Sequence, residues 1–484
     1  MKMIIAVFAA AMLACGPAYA AASWQQYGGD ASNNPVAASG PAPSLNQPRW
    51  TAGSALGISS TATPVIFDGK IYVYCVFGAT TRVVALAVSN GSQLWSTPVD
   101  DSVMDSWSSP AIDPASRSVL IGSGTKVFAL NADNGAVRWS TDLQMQIVNA
   151  SVTIADRKAF IATYAPGDNG KLHALNLDTA AGAAGSTVWS KEIGATVGST
   201  PAWYAGGPDS CVIVGDSEGY LRAFEASAGV LKWTFAVPGA GNWRVPGGAF
   251  CGGVSVSGAC VYAATYYFYG TGDSSFLYKL NAATGAKVWA VPSERTDAAP
   301  VVHNNIVLLS AGTVGHGSVV KLQVFSESTG EKLWEVAELG GWTFTPAVVN
   351  GICYVGTMNE SGDSFDHYQT LSALDLSLTP GASGFVRSQY DGAGGTPGYA
   401  DGNIYSVGTG GLHAFGVEPL QAWPVPGDAN RDCSVNILDL IFVRNRLNLD
   451  STSGDNWQAD VDSNGKINIL DLIFVRNRLN SKCP

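Results

Sequence analysis

The chain has 484 residues, of which 46% are apolar, 56 are glycine and only 13% are charged. That composition suits many short strands joined by tight turns, and it argues against disorder and coiled coil. A formal net charge of -11 repels nucleic acid and anionic lipid, so neither is an expected partner.

Residues 1–20 read as a signal peptide. Lys2 supplies a positive n-region, Ile4 to Ala14 form an apolar h-region, and Gly16-Pro17 break it. Ala18-Tyr19-Ala20 then makes an A-x-A site, with cleavage expected before Ala21. The rival reading acylates Cys15, because Leu13-Ala14-Cys15 partly resembles a lipobox, although Met12 stands where Leu is usual. Either way the protein is expected to be exported: secreted, extracellular or at the cell surface, with the periplasm as the alternative. No later apolar run approaches ~20 residues, so no membrane span is expected.

From residue 60 to 416 one pattern recurs: small residues and Pro, a strand, a turn, a second strand, then A-L-N-x-x-x-G-x-x-x-W. Its last part ends at Trp95, Trp139, Trp233, Trp289 and Trp334, with a looser copy ending at Trp189 and another carrying Phe385 in the Trp place. An eighth, incomplete copy begins at Leu412-His413-Ala414-Phe415. The opening prolines are Pro64, Pro110, Pro201, Pro300, Pro346 and Pro397. Each unit makes one small antiparallel sheet that cannot bury its own faces, so the copies must stack, and radial stacking gives a propeller. Seven complete copies and one incomplete copy predict an all-β eight-bladed β-propeller over residues 21–418. Either Trp50, in Pro48-Arg49-Trp50-Thr51, or Trp423 supplies the missing outer strand; Trp50 is favoured because it ties the two chain ends together.

The repeat signature resembles that of PQQ-like repeat propellers, shared by quinoprotein dehydrogenases and the outer-membrane assembly lipoprotein BamB. The resemblance implies the fold, and one fold hosts unrelated activities. Quinoprotein dehydrogenases hold their quinone against adjacent, disulfide-linked cysteines, and this chain has no Cys-Cys. No PQQ is therefore expected, and a PQQ-dependent dehydrogenase is the least favoured reading. Catalysis stays uncertain, leaning against, and no catalytic residue is assigned.

Other features of the repeat region have bland readings beside sharper ones. His173 and His413 share a repeat position and read as structural. Cys75, Cys211 and Cys353 read as buried blade cysteines, while Cys251 and Cys260 either close a hairpin or stay free. The acidic loop Gly362 to His367 is either a metal site or a solvated loop. Thr265-Tyr266-Tyr267-Phe268-Tyr269 is either a sugar or peptide platform or, as favoured, a strand of the fifth blade. Asp105, Trp107, Asp297 and Trp342 precede inner strands, at the funnel mouth where propellers usually bind ligands.

A short Pro-bearing linker, residues 419–426, leads to a second domain at 427–484. Asn436 to Asn448 read NILDLIFVRNRLN, and Asn468 to Asn480 are identical. Each copy opens with oxygen donors at alternate positions of a twelve-residue loop. They are Asp428, Asn430, Asp432, Ser434, Asn436 and Asp439 in the first loop, and Asp460, Asp462, Asn464, Lys466, Asn468 and Asp471 in the second. That set suits a hard cation with six to eight oxygen ligands, position 7 giving its backbone carbonyl, so Lys466 does not spoil its loop. Two calcium ions are expected. An exit helix follows each loop, with Leu440, Val443 and Leu447 on one face in the first copy. Cys433 stands at loop position 6, where a sharp turn wants Gly; the second loop keeps Gly465.

Loops of this kind, with Asp at position 12 and only the exit helix, resemble type I dockerins. The resemblance implies calcium-dependent attachment to a cohesin-like protein or cell-surface scaffold. It implies contact through Ile437, Leu438, Arg444 and Asn445, and equally through Ile469, Leu470, Arg476 and Asn477. The ends of dockerin chains commonly meet, and a Cys433–Cys483 disulfide would make that clasp covalent. The favoured function is a secreted non-catalytic binding or scaffold protein, with a polysaccharide or peptide as the possible propeller ligand. The alternative is a polysaccharide-active subunit, a glycoside hydrolase or lyase of an extracellular complex.

Overall fold

The computed structural model describes residues 24–484 apart from 54–61, 78–79, 101–107, 165–169, 195–197, 242–244, 246, 314–317, 359–367, 409, 417–426, 431–433, 450, 452–453, 462–465 and 482–484. The signal segment, Cys15, Asp105, Trp107, the acidic loop 362–367, Trp423, Asp432, Cys433, Asp462, Asn464, Gly465 and Cys483 thus lie outside the described residues. Two compact units divide the chain, Met1–Phe415 and Gly416–Pro484. Among the described residues no helix is long and apolar enough to cross a membrane.

The first unit is an eight-bladed propeller: seven blades are four-stranded antiparallel sheets, and in the remaining sheet Val36–Ala37 adds a fifth strand, parallel to Ala347–Val349. Blade 1 contains Val65–Phe67, Lys70–Phe77, Thr80–Ala87 and Gln93–Pro98, from the axis outward. Blades 2 to 7 repeat that order at 111–142, 153–192, 202–236, 255–293, 301–337 and 347–391. Blade 8 takes its three inner strands from Gly398–Gly416 and its outer strand from Trp50–Ala52, with Trp50 opposite Ala414. The favoured closure therefore holds.

The recurring Gly and Trp answer each other across blades. Gly91 (φ 69°) and Gly285 (φ 70°) sit in the turn before an outer strand, where only glycine avoids strain. A β-carbon on Gly91 would lie 2.5 Å from the Trp50 ring of the preceding blade, and one on Gly285 would lie 2.6 Å from Trp233. The same apposition recurs at Gly135, Gly185, Gly229 and Gly330. The indoles lie against bare turns, and the N–H of several reaches a carbonyl beyond: Trp50 to Val88 O (3.0 Å), Trp189 to Ala226 O (2.8 Å) and Trp233 to Ala282 O (3.0 Å).

Blade 7 corrects the sequence alignment. Trp95, Trp139 and Trp233 stand opposite Ala85, Ala129 and Ala223, but the residue opposite Ala373 is Ser388, not Phe385. Phe385 precedes the strand and meets Trp334 edge-on at 5.7 Å. Ser388 accepts the Leu45 N–H (2.9 Å), and the fully buried Leu45 packs in the core there instead of an indole.

A thread from Trp24 to Pro41 visits the inner strand of every blade in turn. Trp24 exchanges two hydrogen bonds with Ile66, and Gln25 O and Gln26 Oε1 accept from Ile112 N and Ile154 N (both 2.7 Å). Ala31 O, Ser32 O, Asn34 Oδ1 and Pro35 O then accept from Trp203, Val256, Val302 and Val348. Pro41 O accepts from the Tyr399 hydroxyl (3.1 Å). The contacted residues occupy one repeat position, the second after the opening Pro or its substitute.

The second unit has two helices, α1 (Ile437–Arg444) and α2 (Ile469–Arg476), packed over a core of Ala429, Val435, Val443, Ala459, Val461, Ile467 and Val475. Asn436 and Asn468 each cap a helix in a reciprocal capping box with Asp439 and Asp471. The halves clasp symmetrically. Val435 of the first loop exchanges hydrogen bonds with Asn480 and Ser481 after α2, while Ile467 O of the second loop accepts from Asn448 N after α1.

Candidate functional sites

In the C-terminal module, the described residues of the loops bring four carboxylates out of water. Asp428, Asp439 and Asp471 are fully buried, and Asp460 is 6% exposed. A buried carboxylate is costly unless its charge is met. Asp439 accepts from Asn430 N (2.9 Å) and Asn436 N (2.8 Å), and Asp471 from Asn468 N (2.8 Å). These bonds orient each position-12 carboxylate and leave its remaining lone pairs for a cation. Asn436 Nδ2 donates to Ser434 O and Asn468 Nδ2 to Lys466 O, so each position-7 carbonyl is already turned into its loop. The donors are all oxygen, the chemistry a calcium ion requires. The described part of each loop fits the ion; Asp432, Asp462 and Asn464 lie outside it.

Above the loops the apolar surface is exposed rather than buried. Ile437 and Leu438 are 62% and 54% exposed, and Ile469 and Leu470 61% and 53%. Arg444, Asn445, Arg476 and Asn477 are exposed on the same helices. The neighbouring arginines are used differently: Arg446 and Arg478 lie over the Phe442 and Phe474 rings at 3.7 and 3.5 Å. Leu440 and Leu447 are half-buried against the core and Val443 fully buried, as the periodicity predicts.

At the propeller axis the residues preceding the inner strands form a belt of hydroxyls that the sequence reading missed. Thr63 N donates to Ser109 Oγ (3.0 Å), Ser109 N to Ser151 Oγ (2.9 Å) and Ser151 N to Thr200 Oγ1 (3.0 Å). Ala299 N donates to Thr345 Oγ1 (3.0 Å), and Thr345 N to Thr396 Oγ1 (3.2 Å). Where blades 5 and 6 carry Gly253 and Ala299 instead, Tyr27 of the thread fills the gap. Its ring lies about 3.1 Å from a β-carbon built on Gly253, and its hydroxyl is 2.6 Å from Thr345 Oγ1. The sequence signal was the small residue before each opening Pro or its substitute, read only as part of the repeat pattern.

The belt lines a small polar well, walled also by Asn149, Gly198, Asp297 and Thr343. Burial pushes the Asp297 carboxyl up to about 8, so it holds its proton at neutral pH. Asp297 N donates to Trp342 O (2.7 Å), which brings together two of the four funnel residues named from sequence. The aromatic segment is a second correction. The strand ends at Ala264, and Thr265 to Tyr269 continue into the loop before Ser275, with Tyr266 bridged to Ala249. Tyr266 lies 5.5 Å from Trp342, and Phe268 and Tyr269 meet edge-on at 5.2 Å.

The remaining expectations resolve simply. His173 and His413 are both buried in blade cores; His173 bonds Thr163 and Ser190, and His413 bonds Thr51. Cys75, Cys211 and Cys353 are buried free thiols. Cys251 and Cys260 are also free, so they close no hairpin.

Comparison with known proteins agrees with both units. Residues 426–480 match the family described as dockerin type I domain, and residues 238–359 match that described as outer membrane protein assembly factor BamB. Outer membrane protein assembly factor BamB of Yersinia pestis is 27% identical over 236 residues, 46% of this chain; the chain spans 55% of that relative's length. The structure of BamB from Moraxella catarrhalis superposes with a TM-score of 0.50 at 20% identity, covering 70% of this chain and 92% of that one. Quinohemoprotein alcohol dehydrogenase from Comamonas testosteroni superposes with a TM-score of 0.62 at 12% identity, covering 82% and 80%. The protein is an eight-bladed propeller followed by a calcium-loop module. More narrowly, it is a PQQ-like repeat propeller with a C-terminal dockerin domain, a domain that implies calcium binding and attachment to a cohesin-type protein.

Proposed function

We propose that this chain is a secreted, non-catalytic binding or scaffold protein. Its propeller recognises a ligand, and its dockerin module, holding two calcium ions, docks it to a cohesin on a larger extracellular assembly. The observation that carries this reading is the pair of matching exposed faces, Ile437 and Leu438 with Arg444 and Asn445, and Ile469 and Leu470 with Arg476 and Asn477, each seated above a loop with buried carboxylates. Bound calcium offsets the charge of those carboxylates and fixes loop against helix. The acidic residues Asp428, Asp432, Asp439, Asp460, Asp462 and Asp471, with Asn430, Asn436, Asn464, Asn468 and the carbonyls of Ser434 and Lys466, are the proposed ligands. The A-x-A leader supports export through residues 1–20.

The test is a cohesin pull-down with and without chelator. Retention only with calcium is expected. Changing Ile437 and Leu438 to Asp, or Ile469 and Leu470 to Asp, leaves binding within a few fold, because the second face substitutes. Changing both pairs reduces it at least ~100-fold, since hot-spot anchors each contribute ~2 kcal/mol or more. Equal loss from either single pair would sink the two-faced reading.

The clasp between Val435 and Asn480–Ser481 supports the proposed Cys433–Cys483 disulfide, because each cysteine is two residues from a clasping residue. Non-reducing peptide mapping of the exported protein is expected to find the crosslinked peptide; alkylation of both thiols without reductant would end the idea.

One observation favours the enzymatic alternative. Asp297, a carboxyl raised to about 8 in a polar well beside Tyr266, is the kind of group that serves as a general acid. Release of reducing or unsaturated ends from plant or algal polysaccharides would establish that reading over the non-catalytic one.

A further inference from the structure

We propose that the axial well and the aromatic loop beside it form one site that binds a neutral polysaccharide chain, which rests on the reading that the propeller recognises a ligand. Three polar atoms converge on the well without a hydrogen-bond partner among the described residues: Thr63 Oγ1, Thr343 Oγ1 and Asp297 Oδ1. Buried polar atoms in native proteins are nearly always paired, so three in one cavity point to a polar occupant. The rest of the belt is satisfied within the protein, which makes the three stand out.

The rim adds a second kind of surface. Tyr266 packs on Trp342, Phe268 lies 6.3 Å from Tyr266, and Phe268 and Tyr269 project into solvent at 64% and 53% exposure. The well and the rim meet through the backbone: Asp297 N donates to Trp342 O (2.7 Å), and Thr343 follows Trp342 in the chain. An exposed ring pair next to hydroxyl-type partners matches a pyranose, which presents apolar C–H faces for stacking and hydroxyls at its edge.

Charge narrows the class. Arg295 is buried, lies over the Tyr266 ring, and donates to Phe268 O (2.9 Å), so its guanidinium is held within the loop and is not presented to solvent. Glu294 is buried with Lys321 Nζ at 3.7 Å. Among the described residues the mouth thus presents hydroxyls, the Asn149 amide and a carboxyl held protonated by burial. A uronate or nucleic acid would find no matching cation there and a chain of net charge -11. An apolar ligand would leave the three polar atoms unpaired. A proline-rich peptide would use the rings and leave the well unsatisfied.

The experiment is affinity electrophoresis of the full chain in calcium through gels containing xylan, glucomannan or xyloglucan, with polygalacturonate and a proline-rich peptide as the other arms. Retardation by at least one neutral polysaccharide is expected. The exposed double variant Phe268→Ala with Tyr269→Ala should weaken it about tenfold, the scale of one lost aromatic anchor. Asp297→Asn, which keeps a neutral donor, should retain binding, whereas Asp297→Leu should weaken it about tenfold. No retardation by any neutral polysaccharide overturns the proposal, as does binding indifferent to both Phe268/Tyr269 and Asp297 changes. Preference for polygalacturonate or the peptide overturns the neutral-sugar class while leaving the propeller a ligand-binding unit. Reducing ends released from a bound neutral glycan would instead overturn the non-catalytic reading and leave the ligand class standing.

Discussion

The eight blades share a signature but few identical residues, whereas the two halves of the C-terminal module repeat Asn436–Asn448 as Asn468–Asn480 letter for letter. In the propeller, repetition serves packing: each Trp needs only a bare turn on the next blade, and the remaining residues are free to diverge. In the module, repetition presents one face twice, and surface residues such as Arg444 and Arg476 are repeated as faithfully as the buried Val443 and Val475. The stability of the units differs in kind as well. Blades meet through apolar cores and hydrogen bonds, while among its described residues the module buries four carboxylates beside a core of seven buried apolar residues. Divergence marks the region where only geometry is under constraint; identity marks the region where the surface also is.

Removing calcium should separate the two regions most sharply. Carboxylates that converge without a cation repel and oppose folding, so chelation is expected to abolish the helical structure of residues 427–484 while the propeller remains folded. Calorimetry should show one transition that vanishes with chelator and one that does not. A single calcium-independent transition for the whole chain would remove the contrast.

The propeller's weak point lies in its Gly–Trp joints. Gly285→Ala adds a methyl against Trp233 at a positive φ and is expected to cost about 2–4 kcal/mol. Trp233→Ala, which vacates the joint, should cost about 3–5 kcal/mol. Both changes should move the calcium-independent transition alone, read by denaturant unfolding with and without chelator. A shift in the calcium-dependent transition would contradict the independence of the units.

Acid offers a smaller lever. Burial lowers His173 to about 4, below its ordinary 6.5. The native state keeps the imidazole neutral, so the stabilisation is complete above pH 6.5 and declines as pH falls towards 4, where the folded form also takes the proton. The loss amounts to about 3 kcal/mol at most. His173→Gln should flatten that part of the propeller's stability profile, measured by urea unfolding from pH 7 to 4. An unchanged profile would mean that other groups set the acid response.

Much of this was legible before the structure. Regular spacing of Gly and Trp fixed the blade count, and Trp50 was identifiable because the eighth copy lacked an outer strand. The module's loops followed from alternate oxygen donors, although the described residues omit part of each. Other features left no periodic trace. Ser388 was missed because the loop before it is longer than in most blades and as long as that of blade 3, where Trp189 fills the position opposite Ala174, so Phe385 falls short of the register. Tyr266 to Tyr269 are β-prone aromatics that read as a strand, yet the strand they would extend ends at Ala264. The hydroxyl belt uses Ser and Thr before Pro, which local reasoning assigns to turns. Only ring closure brings Thr63, Ser109 and Thr345 to one axis.

The thread from Trp24 to Pro41 has a consequence for how the molecule comes into being. Its residues and the outer strand Trp50–Ala52 are among the first to be synthesised, yet the partners they need, Tyr399 and Ala414, are among the last. No early fragment of the chain contains a closed ring, and the longest-range pairings form only after every blade exists. Such non-local closure slows folding and leaves partly built sheets with open edges in the meantime. The thread lessens that exposure blade by blade. As each inner strand emerges it finds a waiting carbonyl or amide in the same short segment, in the order Ile66, Ile112, Ile154, Trp203. The N-terminal segment is thus a template on which the ring is counted out, and shortening it should slow refolding of the propeller more than it lowers the stability of the finished ring.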